Sequence, residues 1–367
     1  MAGAEPIKIA IVGAGNIARS HARAIVASSA VSQGPAATLV AATDIDQGQL
    51  SSFCAEFRIP AGYRQLADML SQARPDLVHV CTPPSTHHPV ALACLRSGTS
   101  VLVEKPPTVS LRELDELAAA APGPPWFATV FQHRFGAAQR HLKKLTASGA
   151  LGRPLLAVCD TTWFRDQAYF DVPWRGRWET EGGGPTMGHG IHQMDMLLDV
   201  LGDWAEISAI ARRQARSVAT EDLSLAHVTF TSGAVASVVN SVLSPREESY
   251  LRFDFERATV ELTHLYGYED DDWRVTAAPG WDDEVRNAWE HARDGGARTG
   301  HVAQFPYVLA ALREGRPPPV TPPEARRTMA LIAGLYASAS TRRPVTPADL
   351  APDTAFYAAM NGGHQAW

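Results

Sequence analysis

Cysteine is scarce. Cys54, Cys81, Cys94 and Cys159 are the four in 367 residues, and no two form a CxxC pair. That pattern gives no disulfide framework and no cysteine zinc site; it fits a reducing cytosol and thiols packed in a core. No apolar run approaches the roughly 18 residues needed to cross a bilayer. MAGAEPIK has no basic segment leading into an apolar one, so no secretory leader is expected. Positive charge is not in excess either. The formal net charge is -6, which offers no electrostatic footprint for nucleic acid or an anionic membrane. Internal repeats and low-complexity tails are missing. What is present is a composition 45% hydrophobic and 20% charged, ordinary for a globular protein and enough for two domains. The expectation is a cytoplasmic protein with neither a nucleic-acid nor a membrane partner.

The first third alternates between two periods. IKIAIVGAG (7–15), ATLVAATD (37–44), DLVHVCTPP (76–84), SVLVEKP (100–106) and PWFATVFQ (125–132) read as strands. Between them, residues 16–28, 46–57, 86–98 and 110–121 read as helices. Strand–helix alternation with continuous apolar strands predicts βαβ units and a parallel sheet covered on both faces. Consecutive strand candidates then run over 211–269, several alternating apolar and polar residues, which predicts a largely antiparallel sheet. Helices return at 302–315 and 324–341, while the Pro-rich stretches 121–126 and 315–324 read as rigid connectors. The acidic runs 267–273 and 281–286 read as solvated loops without calcium-loop spacing. The fold class predicted is α/β: a dinucleotide-binding Rossmann domain over 1–127 and an α+β domain with an open sheet over 128–367.

IVGAGNIARSHA places Gly13, Gly15 and Ala18 at G-x-G-x-x-A, after a strand and opening a helix. In that context the first glycine makes a tight turn and the second lets the backbone approach a pyrophosphate at the helix N-terminus. Asp44 ends the second strand, where a carboxylate hydrogen-bonds ribose hydroxyls and repels a 2′-phosphate. No arginine is its neighbour in sequence, so NAD is favoured over NADP. The interval from the loop is longer than usual because SSAVSQGPA (28–36) reads as an inserted loop. Asp46 suits a helix N-cap better than Asp44 does.

Two further stretches carry chemistry. Glu104-Lys105-Pro106-Pro107 follows the strand SVLV, at the carboxyl end where ligands of open α/β sheets bind, and the Pro-Pro pair admits a cis bond. A lysine there can orient a hydroxyl and stabilise developing alkoxide charge; the alternative is a surface pair with Glu104. GGGPTMGHGIHQMD (182–195) reads as a glycine loop entering a helix that carries His189, His192 and Asp195 on nearly one face. Two histidines and a carboxylate could bind a metal, but the spacing drifts around the helix, and no metal is expected. Asp195 reads as a buried hydrogen-bond partner. Residues 161–179 pack Trp163, Phe164, Tyr169, Phe170, Trp174 and Trp178 among Arg165, Arg175 and Arg177, a loop suited to sugar C–H faces and hydroxyls or to plain packing. Arg134 in FQHRF reads as a site residue or a salt-bridge partner.

In this order these stretches closely resemble the glucose–fructose oxidoreductase / inositol dehydrogenase / MocA (Gfo/Idh/MocA) family, from the first strand to the final helices. The resemblance implies hydride exchange between nicotinamide and a ring carbinol of a sugar, glycoside or cyclitol, with a homodimer or homotetramer formed through the second domain's sheet. It makes Lys105 the substrate-orienting lysine and His192 the general acid/base, and imidazole suits proton transfer near neutrality. Gly13, Gly15, Asn16, Ile17 and Asp44 fall in its cofactor-binding set. So do Thr82, Pro83, His87, Glu104 and Lys105, with His87 at the nicotinamide end, and Trp174 and Arg175. Lys105, Arg134, Trp163, His189 and His192 fall on the substrate side, and His88 reads as a surface residue. One position departs from the pattern: the family usually has Asp or Asn four residues before the histidine, and here it is Gly188. His189 can substitute for it, or the chemistry has changed. Three classes follow: a dehydrogenase, with a glycoside 3-oxidoreductase that recycles its bound nucleotide as a variant; a nucleotide-binding sensor or scaffold without turnover; and a lyase-type dehydratase or glycosidase that uses NAD transiently.

Overall fold

The computed structural model describes residues 5–30, 37–290 and 299–363. The first strands and helices are β1 (Ile7–Val12), α1 (Asn16–Ala30), β2 (Ala37–Thr43), α2 (Gln47–Phe57), β3 (Ala61–Tyr63), α3 (Leu66–Ala73), β4 (Leu77–Val80), α4 (His87–Arg96), β5 (Ser100–Val103), α5 (Leu111–Ala120) and β6 (Phe127–Thr129). Then come α6 (Ala137–Ser148), β7 (Pro154–Phe164), α7 (Gln167–Phe170), α8 (Trp178–Glu181), α9 (Pro185–Gly188) and α10 (Ile191–Leu201). The chain continues through β8 (Trp204–Arg212), β9 (Leu223–Phe230), β10 (Val235–Ser241), β11 (Leu243–Phe255), β12 (Ala258–His264) and β13 (Trp273–Ala277). The helices α11 (Asp282–Glu290), α12 (His301–Arg313) and α13 (Pro322–Thr341) follow. Among the described residues, no helix is long and apolar enough to cross a membrane.

The chain divides into two compact units. The first comprises residues 1–108, 113–130 and 301–325, and the second comprises 109–112, 131–300 and 326–367. This differs from a single cut at 127–128 because 301–325 clusters with the first unit. The cause lies in α12, whose Phe305, Val308 and Leu309 join Ala18, Ala22 and Ile25 of α1 in one buried core. Burial of such side chains yields about 1.5–3 kcal/mol each.

The first unit holds a six-stranded sheet ordered β3-β2-β1-β4-β5-β6, all parallel. β4 and β5 are buried at every position, which is why their sequences lack alternation. The order reverses between β1 and β4, the switch point at which such sheets bind ligands. One strand–helix pair, β3 with α3, is additional to the sequence expectation; three residues of AGY are too few to read. The loop expected before β2 falls mainly on 31–36, outside the described residues.

The second unit holds a seven-stranded sheet ordered β13-β12-β11-β7-β10-β9-β8, antiparallel except where β10 meets β7. Ala157, Cys159, Thr161 and Trp163 of β7 alternate inward, and α10 packs against β7 and β11. Leu156, Ile210, Leu225 and Val235 remain exposed, and the strand register places them on the opposite face.

Several expectations need correction. Residues 213–222 form no strand; Asp222 instead gathers the backbone N–H groups of Gln214, Ala215 and Arg216, each at 2.8 Å. The first residues of the aromatic stretch 161–179 belong to β7. WDDEVR opens α11, its acidic first turn favoured by the helix dipole, and Tyr268 and Trp273 of the other acidic run are buried. The histidine-bearing helix is broken. α9 ends at Gly188, His189 lies in the break, and α10 starts at Ile191. The break brings the chain close to β10: a Cβ at Gly190 would lie 1.8 Å from Asn240 Oδ1. Cys81, Cys94 and Cys159 are buried and Cys54 partly so, as expected of core thiols.

Candidate active site

The expected site residues fall in both units. In the first unit the glycine loop follows β1. Gly13 has φ +93°, and a Cβ there would lie 2.7 Å from the Cys81 carbonyl oxygen, so no other residue fits. Its N–H donates to Thr43 O at 2.8 Å, tying the turn to β2. Among the described residues, a Cβ on Gly15 would meet no atom within 4 Å. The floor beside the α1 N-terminus, where Asn16 and Ile17 begin the helix, is therefore open for a phosphate.

Asp44 accepts the Ala14 N–H on one carboxylate oxygen at 2.6 Å and the Asp46 N–H on the other at 2.7 Å. It fixes the loop, and further lone pairs stay available for ribose hydroxyls. Asp46 caps α2, accepting from Gln49 N–H at 2.9 Å. Arg64 is close enough to help lower the Asp46 carboxyl, after the larger effect of the Gln49 N–H. A cation thus lies near this edge, 20 residues from Asp44 in sequence, where reading neighbours did not find it.

The turns after β4 and β5 are joined by His87. It is buried, with Nδ1 2.7 Å from Pro106 O and Nε2 2.7 Å from Thr82 O. Burial pulls its basicity down while the two carbonyls oppose that effect. The ring clips the Thr82-Pro83 turn to the Lys105 turn, whose cis bond is Lys105–Pro106. Glu104 points inward. Its Oε2 accepts the Lys105 N–H at 3.1 Å, and its Oε1 lies 2.8 Å from His21 Nε2 and 2.9 Å from His301 Nε2. Burial would raise the Glu104 carboxyl, but the two imidazoles outweigh it and hold it well below its ordinary range. His21 Nδ1 in turn lies 2.9 Å from His79 Nδ1. His21, His79 and His301 were not singled out from sequence.

In the second unit α10 carries His192 and Asp195, both buried. Asp195 receives Arg134 through Nε at 2.5 Å and Nη2 at 2.6 Å, and the Thr328 hydroxyl at 2.8 Å. Of the two readings for Arg134, the geometry shows the salt bridge, and the fork orients α10. The same engagement occupies the carboxylate that a metal at His189, His192 and Asp195 would need. His192 stacks on His133, with ring centroids 4.5 Å apart and planes 19° apart. Behind His133 lie His264, 5.6 Å away and pushed down to about 4 by burial, and Tyr268, whose hydroxyl donates to His133 O. His133 stands inside the FQHRF stretch, but only the fold shows its stack.

His189 meets Trp163 edge-on at 5.1 Å and faces the Tyr169 hydroxyl at 3.4 Å. Trp163 is buried, donates to Ser249 Oγ at 3.0 Å and packs on Tyr266, so it is a wall more than an open platform. The Arg175 guanidinium lies 3.7 Å from the Tyr169 ring centroid and 4.9 Å from that of Trp174. Its Nε and Nη1 are buried without a hydrogen-bond partner among the described residues, a donor set that fits an anion such as a dinucleotide phosphate. Arg165 is engaged by Glu247 at 2.7 Å and by the Tyr266 hydroxyl. At Gly188 a Cβ would meet only Glu181 Oε1, at 3.9 Å, so the position is open. Glu181 is buried and accepts the Gly176 N–H at 2.6 Å.

Comparison with known proteins agrees with this architecture. Residues 7–124 match the model of an oxidoreductase family with an NAD-binding Rossmann fold. Residues 139–264 match a GFO/IDH/MocA C-terminal domain. The chain is 25% identical to D-glucoside 3-dehydrogenase of Escherichia coli K12, covering 74% of this chain and 80% of that one. It is also 25% identical to D-apiose dehydrogenase of Paraburkholderia graminis, covering 79% and 77%. The WlbA dehydrogenase of Bordetella pertussis, solved with NADH and UDP-GlcNAcA, superposes with a TM-score of 0.81 at 25% identity over 94% of this chain and 98% of that one. The chain belongs to the Gfo/Idh/MocA family of NAD-binding oxidoreductases.

Proposed function

We propose that this protein is an NAD-dependent dehydrogenase that oxidises a ring carbinol of a sugar, glycoside or cyclitol to a ketone. The observation that carries the reading is the likeness to D-glucoside 3-dehydrogenase over four-fifths of that enzyme, in a chain whose Gly15 floor is open for a nucleotide phosphate. Bound nicotinamide would accept the hydride. Lys105 orients the substrate hydroxyl and stabilises its oxygen as the C–H bond breaks. His192 takes the hydroxyl proton, its ring direction set by the stack on His133 and by the Arg134–Asp195 anchor of α10. His189 and Trp163 line the sugar side. Asp44 selects NAD by accepting from ribose and repelling a 2′-phosphate, and Arg175 with Trp174 holds the cofactor's anionic part. The exposed apolar face of the second sheet pairs with a second copy of the chain, giving a homodimer or homotetramer.

The test incubates pure protein with NAD, and separately NADP, across polyols, free sugars and glycosides. Reduced nicotinamide is followed by absorbance and oxidised sugar by mass spectrometry, with His192→Ala alongside. Turnover confined to one sugar class and lost in the variant supports the reading. Oxidised sugar without net reduced nicotinamide points to a recycling 3-oxidoreductase. NADH binding with no product from any sugar leaves the sensor reading and overturns this one.

A further inference from the structure

We propose that His21, Glu104 and His301 bind one zinc-like divalent cation in the first unit, behind the turn that carries Lys105. The three ligands come from separate segments: α1, the residue after β5, and the first residue of α12. One imidazole nitrogen from each histidine and one carboxylate oxygen lie within 4.8 Å of one another. The side chains are 0%, 6% and 13% exposed, so water competes weakly for them. Two imidazoles and a carboxylate form a donor set for zinc or cobalt, whereas calcium and magnesium prefer all-oxygen sites.

The contacts to Glu104 Oε1 are 2.8 and 2.9 Å. Ligand atoms around a tetrahedral zinc are about 3.3 Å apart, given metal–ligand bonds of about 2.0–2.1 Å. Opening the two contacts to Glu104 by about half an ångström would therefore bring them to the spacing of ligands around an ion. Three protein ligands leave a fourth position for water.

A hydrogen-bond partner that orients the His21 ring is already in place. Without an ion, His21 donates Nε2–H to Glu104, and its Nδ1 accepts from Nδ1–H of His79, 2.9 Å away. With an ion on Nε2, His21 carries its proton on Nδ1 and donates to His79. The His21–His79 bond survives in both states, which fixes the ring for either occupant. Because Glu104 Oε2 accepts the Lys105 N–H at 3.1 Å, an ion on Oε1 would also hold the Lys105 turn. None of this depends on the substrate reading.

The experiment strips the full-length protein with a chelator and titrates Co2+, watching for the visible band of tetrahedral cobalt. The expected result is saturation at one equivalent per chain, displacement by Zn2+, and a melting temperature that rises with metal concentration. His301→Phe keeps an aromatic ring beside Phe305 and should weaken Co2+ at least a hundredfold. His79→Phe, which removes only the hydrogen bond to His21 Nδ1, should weaken it about 10–100-fold. X-ray absorption of the zinc-loaded wild type should show two imidazoles with oxygen donors and decides the matter without any variant. Absence of a one-equivalent tetrahedral band in the folded wild type overturns the proposal. So does an affinity unchanged in a folded His301→Phe protein.

Discussion

Replacing each glycine of the nucleotide loop by alanine should produce two different lesions. At Gly13 the added methyl meets two obstacles: a φ of +93° and the Cys81 carbonyl oxygen 2.7 Å away. The left-handed backbone costs about 1–2 kcal/mol for an L residue, and overlap with backbone that cannot swing aside adds about 1–3 kcal/mol. Gly13→Ala should therefore lose about 2–5 kcal/mol of stability in the first unit and bind NADH poorly as a consequence. At Gly15 no φ penalty applies and no atom of the described residues lies within 4 Å of the methyl. Gly15→Ala should melt within about 0.5 kcal/mol of wild type, as surface substitutions do, yet lose at least about 1.4 kcal/mol of NADH affinity, or tenfold. The methyl would occupy the space left for a phosphate. Thermal melts and NADH fluorescence titrations on the two variants separate the effects. A Gly15→Ala protein with wild-type NADH affinity would refute the placement of the pyrophosphate over this floor.

Three further outcomes follow. Asp195→Ala removes the carboxylate that receives the Arg134 fork, leaving Asp199 at 3.7 Å, and should cost about 3 kcal/mol, whereas Arg134→Met with Asp195→Leu should cost much less than the sum of the single changes, measured by urea unfolding. Asp160 sits between β10 and β11, its carboxyl pushed up to about 6 by burial and then by Glu248; since the folded form prefers the proton, stability falls as pH rises from about 4 through 6. Asp160→Asn should consequently gain about 1 kcal/mol at pH 8, after discounting for solvent screening, and nothing at pH 4, read from melts at both. Asp44→Ala should lower NAD affinity while shifting preference toward NADP, checked by titrating both cofactors, because the change removes the repulsion of a 2′-phosphate.

The parallel half of the fold was legible because its strands are buried on both faces and read as unbroken apolar runs. The second sheet was legible where strands alternate, but β7 was hidden by its aromatic end, and 213–222 resemble a strand in sequence although Asp222 gathers the N–H groups there. The motif residues could be located in sequence; their partners could not. Arg134 finds Asp195 across 61 positions, and His301 reaches Glu104 across 197. No local period encodes such contacts. The break at His189 was signalled by Gly188 and Gly190, yet only Asn240, brought close by β10, explains why Gly190 must lack a side chain.

Hydride transfer from a sugar carbinol can be followed in a single turnover of the protein with NAD and a ring-perdeuterated methyl glucoside, with the nicotinamide analysed by mass spectrometry and proton NMR. One deuterium on the reduced nicotinamide, a ketone at one ring carbon, and loss of both products in the His192→Ala variant are expected. Nicotinamide that stays oxidised and unlabelled while NADH still binds, across glucosides and the wider sugar panel, would contradict it.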